Sequence, residues 1–272
     1  MMKDIPLGKH TEYVSQYDKS QLFPIARTEN RAKLNIHLGD ALPFTGLDVW
    51  TGYEVSWLDL KGKPQVAIVE FVIPAEAPNI VESKSFKLYL NSFNQTKIES
   101  KEKVKELLTA DLSEGFGLDI SVELFTVDDF PVAAVAPSTL IDDLDVECSV
   151  YEPDAGLLKA DKSEVASETL SSNLLKSNCP VTGQPDWATV WVEYIGSKID
   201  QAALLQYIVS FREHSDFHEH CVERIYCDLL AVGEFEDLIV TARYTRRGGL
   251  DINPIRSLKP LTKSVMGRTA RQ

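Results

Sequence analysis

No stretch of this 272-residue sequence comes near the run of about 20 apolar residues that crosses a bilayer. The opening residues, Met1 to Val14, hold no apolar segment of the kind a signal peptide needs. Cysteine is scarce, and the four present, Cys148, Cys179, Cys221 and Cys227, form neither a CxxC pair nor finger-type spacing. Free thiols in a reducing compartment are therefore expected rather than a disulfide framework. There is no Walker loop and no G-x-G-x-x-G turn, so any nucleotide needs another mode of binding. Positive charge is short as well: 28 Lys and Arg stand against 41 Asp and Glu, a net charge of −13. Such a balance disfavours nonspecific nucleic-acid binding. The expectation is a cytoplasmic protein without membrane or direct nucleic-acid contact.

What is present is an ordinary composition, 44% hydrophobic and 25% charged, able to bury one large core or two of usual size. Its bases are unevenly spread. From Thr241 onward Arg243, Arg246, Arg247, Arg256, Lys259, Lys263, Arg268 and Arg271 face a single acid, Asp251. Arg268 and Arg271 read as a solvated tail. Arg246-Arg247-Gly248-Gly249 reads as a place where a phosphate lands, because glycines let backbone N–H groups approach an anion.

The chain also repeats itself. Pro43-Phe44-Thr45-Gly46 leads to Trp50, and Pro180-Val181-Thr182-Gly183 leads to Trp187, a shared P-x-T-G-x-x-x-W at an offset of 137. Each copy runs into an alternating aromatic and β-branched stretch, as strands do. Further on, an offset of 118 pairs Tyr89 with Tyr207, Phe93 with Phe211 and Gly115 with Gly233. A hairpin at Lys61-Gly62-Lys63-Pro64 accounts for the extra residues of the first copy. Each half then reads as strands, a helix ending near Phe93 or Phe211, and a second helix (about 99–114 and 216–232) stopped near Gly115 or Gly233. Two more strands follow in each half (about 120–126 and 143–150; about 237–245 and 250–256). An α+β protein of two related domains results, 1–151 and 167–272, joined by a polar linker, 152–166.

The two halves differ where chemistry is possible. Opposite Cys179, Asp186 and His218-Glu219 stand Leu42, Val49 and Ser100-Lys101, while Glu82-Ser83-Lys84-Ser85 faces Asp200-Gln201-Ala202-Ala203. Complementary losses of this kind suggest one composite site. Cys179 lies in a polar loop before a proline, unlike the other three cysteines, which suit inert packing. Asp186, seven residues on across a turn, either folds back beside Cys179 or is a plain turn aspartate. Asp216 with Glu219 reads as a capping box, leaving His218 as a surface histidine or a proton donor. At the other motif, Asn79 with Glu82 reads as a cap, and the backbone amides with Lys84 read as an anion site.

Glu82-Ser83-Lys84-Ser85-Phe86-Lys87-Leu88-Tyr89, the Cys179-to-Asp186 loop, Phe217-His218-Glu219 and Arg246-Arg247-Gly248-Gly249 together resemble the QueF family. These are NADPH-dependent 7-cyano-7-deazaguanine reductases, here in the long two-module form. The resemblance extends to Tyr13-Val14-Ser15-Gln16-Tyr17-Asp18. It implies tandem tunnelling-fold (T-fold) domains, each a four-stranded antiparallel sheet with two helices on one face. It implies a homodimer acting in the synthesis of queuosine, a modified tRNA nucleoside, with no metal. It further implies that Cys179 forms a covalent thioimide with the nitrile and that Asp186 donates a proton. By the same resemblance Val81, Glu82, Ser83, His218 and Glu219 contact the deazaguanine, and Ser83, Lys84, Arg247 and Gly248 contact NADPH. The residue chemistry agrees. A nitrile accepts hydride poorly until a thiolate converts it to a thioimide, and cationic Lys84 and Arg247 suit the extra phosphate of NADPH.

Two other readings stand beside this one. A zinc enzyme of the same fold, resembling GTP cyclohydrolase, would use Cys179, His218 and either His220 or Cys221 as ligands. A non-catalytic purine- or tRNA-binding module is opposed by the charge balance and by the retained cysteine and acid.

Overall fold

The computed structural model describes residues 13–261 and 267–272. Most of the opening stretch without a signal-peptide core, and Lys263 of the basic end, lie outside them. The fold is mixed α+β. It divides into two units, neither continuous in sequence. Unit 1 comprises the residues up to Lys33, Asp48–Pro131 and Arg246–Asp251; unit 2 comprises Leu34–Leu47, Val132–Thr245 and the chain from Ile252 onward. No helix among the described residues is long and apolar enough to cross a membrane.

In unit 1, β1 (Pro24–Ala26) pairs antiparallel with β4 (Asn79–Val81), setting Pro24 against Val81. A short α1 (Thr28–Ala32) follows β1. Strands β2 (Thr45–Leu58, its first three residues in unit 2), β3 (Pro64–Pro74) and β5 (Ser121–Phe125) lie in the order β5-β3-β2. The β2–β3 turn is the expected hairpin. Asp59 N–H donates to Lys63 O at 2.9 Å, and Gly62 takes φ +86°. Helices α2 (Ser83–Ser92) and α3 (Lys101–Phe116) supply the apolar faces. Phe86 of α2 meets Trp50 at 4.9 Å and Phe71 at 5.1 Å between ring centroids, and all three are 1% exposed or less. Truncating such a residue to alanine costs about 3–5 kcal/mol.

Unit 2 is built on β6 (Thr139–Leu140), β7 (Ala160–Asn178), β8 (Pro185–Ile199), β9 (Phe235–Tyr244) and β10 (Leu250–Ser257, its first two residues in unit 1). Their order is β10-β9-β8-β7-β6, antiparallel except for the parallel β6–β7 pair. Helices α4 (Gln201–Ser210) and α5 (His218–Val232) complete it.

Each unit repeats the other's internal contacts at the offset of 118 seen in the sequence, the aspartates alone being one residue short of it. Tyr89 Oη donates to Asp111 at 2.7 Å, as Tyr207 Oη donates to Asp228 at 2.6 Å. Ser92 and Ser210 hydroxyls donate to the carbonyls of Tyr89 and Tyr207, each at 2.6 Å. Phe93 and Phe211 set an edge against those tyrosine rings at 5.3 and 5.4 Å. Glu82 and Asp200 cap α2 and α4 alike.

Three local expectations are corrected. Residues 143–150 alternate like a strand but run as irregular chain. Just before them, Asp142 is fixed by side-chain bonding, accepting from Ser172 Oγ at 2.6 Å and Asn173 N–H at 3.0 Å. The polar stretch expected as linker is strand from Ala160 onward. Its side chains stay in water and pair across to β8, as in Lys198–Glu164 at 2.7 Å and Tyr194 Oη to Glu168 at 2.6 Å. Gly115 lies inside α3, and the cap is Gly117 at φ +77°, a left-handed position that glycine adopts at no steric cost.

Candidate active site

The chemistry of unit 2 begins at the β7–β8 hairpin. Cys179 N–H donates to Gln184 O and Gly183 N–H to Cys179 O, both at 2.9 Å, with Gly183 at φ +67°. The closed loop leaves the Cys179 thiol half-buried. Below it, Ser177 is the direct cross-strand partner of Asp186, so the two side chains share one face. Asp186 is only 3% exposed.

The segment before α5 is tied to the same strand end. Asn178 N–H donates to His214 O at 2.8 Å, and Asp216 N–H donates to Asn178 O at 3.2 Å. That tie brings the first turn of α5 to the hairpin, and His218 Nε2 comes to 3.3 Å from Asp186 Oδ2. His218 Nδ1 is buried without a hydrogen-bond partner among the described residues. Glu219, 2% exposed, sits in the same first turn. It does not form the expected capping box. The N-cap is Phe217, which has no capping side chain, and Asp216 accepts from Phe217 N–H at 2.8 Å. Asp216 instead holds two imidazoles, His220 Nδ1 at 3.3 Å and His214 Nε2 at 3.7 Å. Burial opposes its ionisation, but the two histidines outweigh it and hold the carboxyl well below its usual range.

A second thiol lies close by. Cys221, 0% exposed, interacts with the hydroxyls of Ser177 and Tyr244. Burial, and then the charge of Asp216, push its thiol far up. It is a packed hydrophobe, whereas Cys179 is the accessible one. Sequence reasoning missed Tyr244. Its ring stacks face to face on His218, at 3.7 Å between centroids and 3° between planes.

The remaining candidates belong to unit 1, Arg247 and Gly248 included, although they stand late in the sequence. Val81 and Glu82 are 2% and 1% exposed, and Ser83 and Lys84 are half-buried. Glu82 caps α2, accepting from Lys84 N–H at 2.9 Å and Ser85 N–H at 2.8 Å. Two amides expected to bind an anion are thus committed to that carboxylate, which leaves the Lys84 side chain as the cation. The Arg247–Leu250 turn is a two-residue hairpin loop in which Arg247 N–H donates to Leu250 O at 2.9 Å. Gly248 and Gly249 take φ +60° and +78°, which this mirror-image turn demands. A Cβ on Gly248 would also meet Lys87 Cδ at 3.1 Å. Beside the turn is a cavity of about 230 Å³ whose lining includes Glu54, Lys87, Asn91, Asn94 and Gly248. Arg246 lies over the Tyr53 ring at 4.5 Å. Of the cations named, Lys87 lines this cavity, together with Gly248.

Comparison with known proteins gives the class first. Residues 13–124 match the family described as nitrile reductase, 7-cyano-7-deazaguanine-reductase N-term, and residues 185–262 match the QueF-like protein family. The NADPH-dependent 7-cyano-7-deazaguanine reductase of Cupriavidus metallidurans is 56% identical over 93% of this chain and 92% of its own length. Its namesake from Saccharophagus degradans is 57% identical over 94% and 95%, and that from Bordetella pertussis 52% identical over 100% and 99%. The chain belongs to the QueF family of 7-cyano-7-deazaguanine reductases.

Proposed function

We infer that this chain is an NADPH-dependent nitrile reductase that converts 7-cyano-7-deazaguanine to its aminomethyl counterpart in queuosine synthesis. The observation that carries this is 52–57% identity, over nearly the whole length, to relatives bearing that activity in their names. NADPH, when bound, supplies one hydride per molecule, two molecules acting in turn. Lys84, Ser83, Arg247 and Gly248 hold it, and the rest falls to the chain's other residues.

In this reading the Cys179 thiolate adds to the nitrile carbon, and the nitrogen takes a proton to give a thioimide. Asp186, with His218 beside it, supplies that proton, and the thiolate is released again as the carbon is reduced. Val81, Glu82, Ser83, His218 and Glu219 hold the deazaguanine, whose N–H edge suits carboxylate acceptors. The finer architecture proposed is a tandem pair of T-fold modules, one ending near 151 and one beginning near 167, in a cytoplasmic homodimer. The repeated Tyr89–Asp111 and Tyr207–Asp228 contacts support the duplication.

The zinc reading is not favoured. His220 is turned to Asp216, and Cys221 is packed with no exposure beside Ser177 and Tyr244. The test is turnover of the purified protein with the nitrile. Two NADPH oxidised per aminomethyl product, unaffected by a chelator, is the expected result. No NADPH oxidation, or loss of activity with chelation, would contradict it.

A further inference from the structure

We infer that Tyr244 is a positioning residue for His218, its buried ring serving as the platform that fixes the imidazole plane against Asp186. The inference rests on the reading that Asp186 and His218 handle the protons of the reaction. Tyr244 ends β9, where it pairs with Ala188 of β8, and it is 0% exposed. Its hydroxyl lies near Ser177 of β7 and Cys221 of α5, in a loose polar cluster where neither the Tyr244 nor the Ser177 hydroxyl closes a hydrogen bond of good geometry. Burial, and then the neighbouring Cys221 and Asp186, hold its phenol far above the usual value, so it stays neutral. Strand, hairpin and helix thus fix the tyrosine ring before the histidine is considered.

The stack on His218 differs from the tilted and edge-on ring contacts elsewhere among the described residues. Trp50 and Phe86 are tilted at 58°, and Tyr207 and Phe211 meet edge-on at 82°. An edge contact lets a ring roll about its Cβ–Cγ bond, whereas a face at 3.7 Å blocks that roll. His218 has no hydrogen bond at Nδ1 among the described residues to set its plane, and only Asp186 stands at Nε2. The platform is therefore what keeps Nε2 directed at the carboxylate. The useful part of Tyr244 is its ring, not its hydroxyl.

The test compares Tyr244→Phe, which keeps the ring, with Tyr244→Leu and Tyr244→Met, which remove it, each alone and with His218→Ala. Tyr244→Phe should keep nearly normal kcat. The ring-free variants should lose about tenfold to a hundredfold in kcat, as misorientation does, while the Michaelis constants for nitrile and NADPH change little. In the His218→Ala background the same substitutions should cost nothing further. A general loss of packing would instead add to the His218→Ala defect and move the Michaelis constants, and that result would overturn the inference. Full kcat in the ring-free variants, with His218→Ala impaired, would overturn it while leaving the proton reading intact. Full kcat in His218→Ala would overturn both.

Discussion

His218 Nε2 stands 3.3 Å from Asp186 Oδ2, a carboxylate and an imidazole brought together from a strand start and a helix start 32 positions apart. Neither side chain faces bulk water, at 4% and 15% side-chain exposure. On the proposed reading this pair passes a proton to the nascent nitrogen without competition from solvent. On the same reading Cys179, on the hairpin loop next to Asp186's strand, is the nucleophile.

Asp186→Asn should therefore lower turnover by about 10²–10⁴-fold, the usual worth of a placed general acid. Adduct formation and steady-state rates at neutral pH measure it. Near-normal rates would reduce Asp186 to a strand residue.

Lys84→Ala and Arg247→Ala should each weaken NADPH about tenfold to a hundredfold, the loss expected of a charge-assisted contact. Binding of the nitrile should change much less. Glu82→Ala should show the reverse, weakening the nitrile more than NADPH. Because Glu82 caps α2 with both oxygens, that variant should also lose about 0.5–2 kcal/mol of stability. Titration of each variant against both substrates, beside urea unfolding, separates the effects.

Asp216→Asn should destabilise unit 2 at neutral pH by about 1–3 kcal/mol, since a carboxylate facing His214 and His220 is lost. The folded-state pKa of Asp216 is depressed. Its contribution is thus complete above the unfolded carboxyl value near 3.9 and fades as the pH falls below it. Urea unfolding at pH 7 and at pH 3 should show a gap between wild type and variant that narrows in acid.

Much of this was legible in the sequence. The repeated Tyr and Phe positions located α2 and α4, and the stops near Gly115 and Gly233 located α3 and α5 to within a few residues. The strand expected at 143–150 shows the limit of alternation. Its pattern fits a strand, yet pairing requires a partner edge that composition cannot reveal. The polar stretch from Ala160 failed in the opposite sense, since a strand with wetted side chains and a paired backbone has the composition of a linker. Cys179 and Asp186 could be matched across a turn, as local hairpin geometry is short-range. Tyr244 carried no signal, for alternation along β9 makes it one more core residue. Its contact with His218 arises only when β9 meets α5.

The central claim is that the thiol of Cys179 adds to the nitrile, and the most direct measurement omits NADPH. The protein is mixed with 7-cyano-7-deazaguanine, followed by its absorbance and then weighed by mass spectrometry. A thioimide band and a mass increase of one substrate are the expected result. Both should vanish in Cys179→Ala, which should still bind the nitrile, and both should persist in Cys221→Ala. No adduct in the wild type, or an adduct that survives Cys179→Ala, would contradict the account.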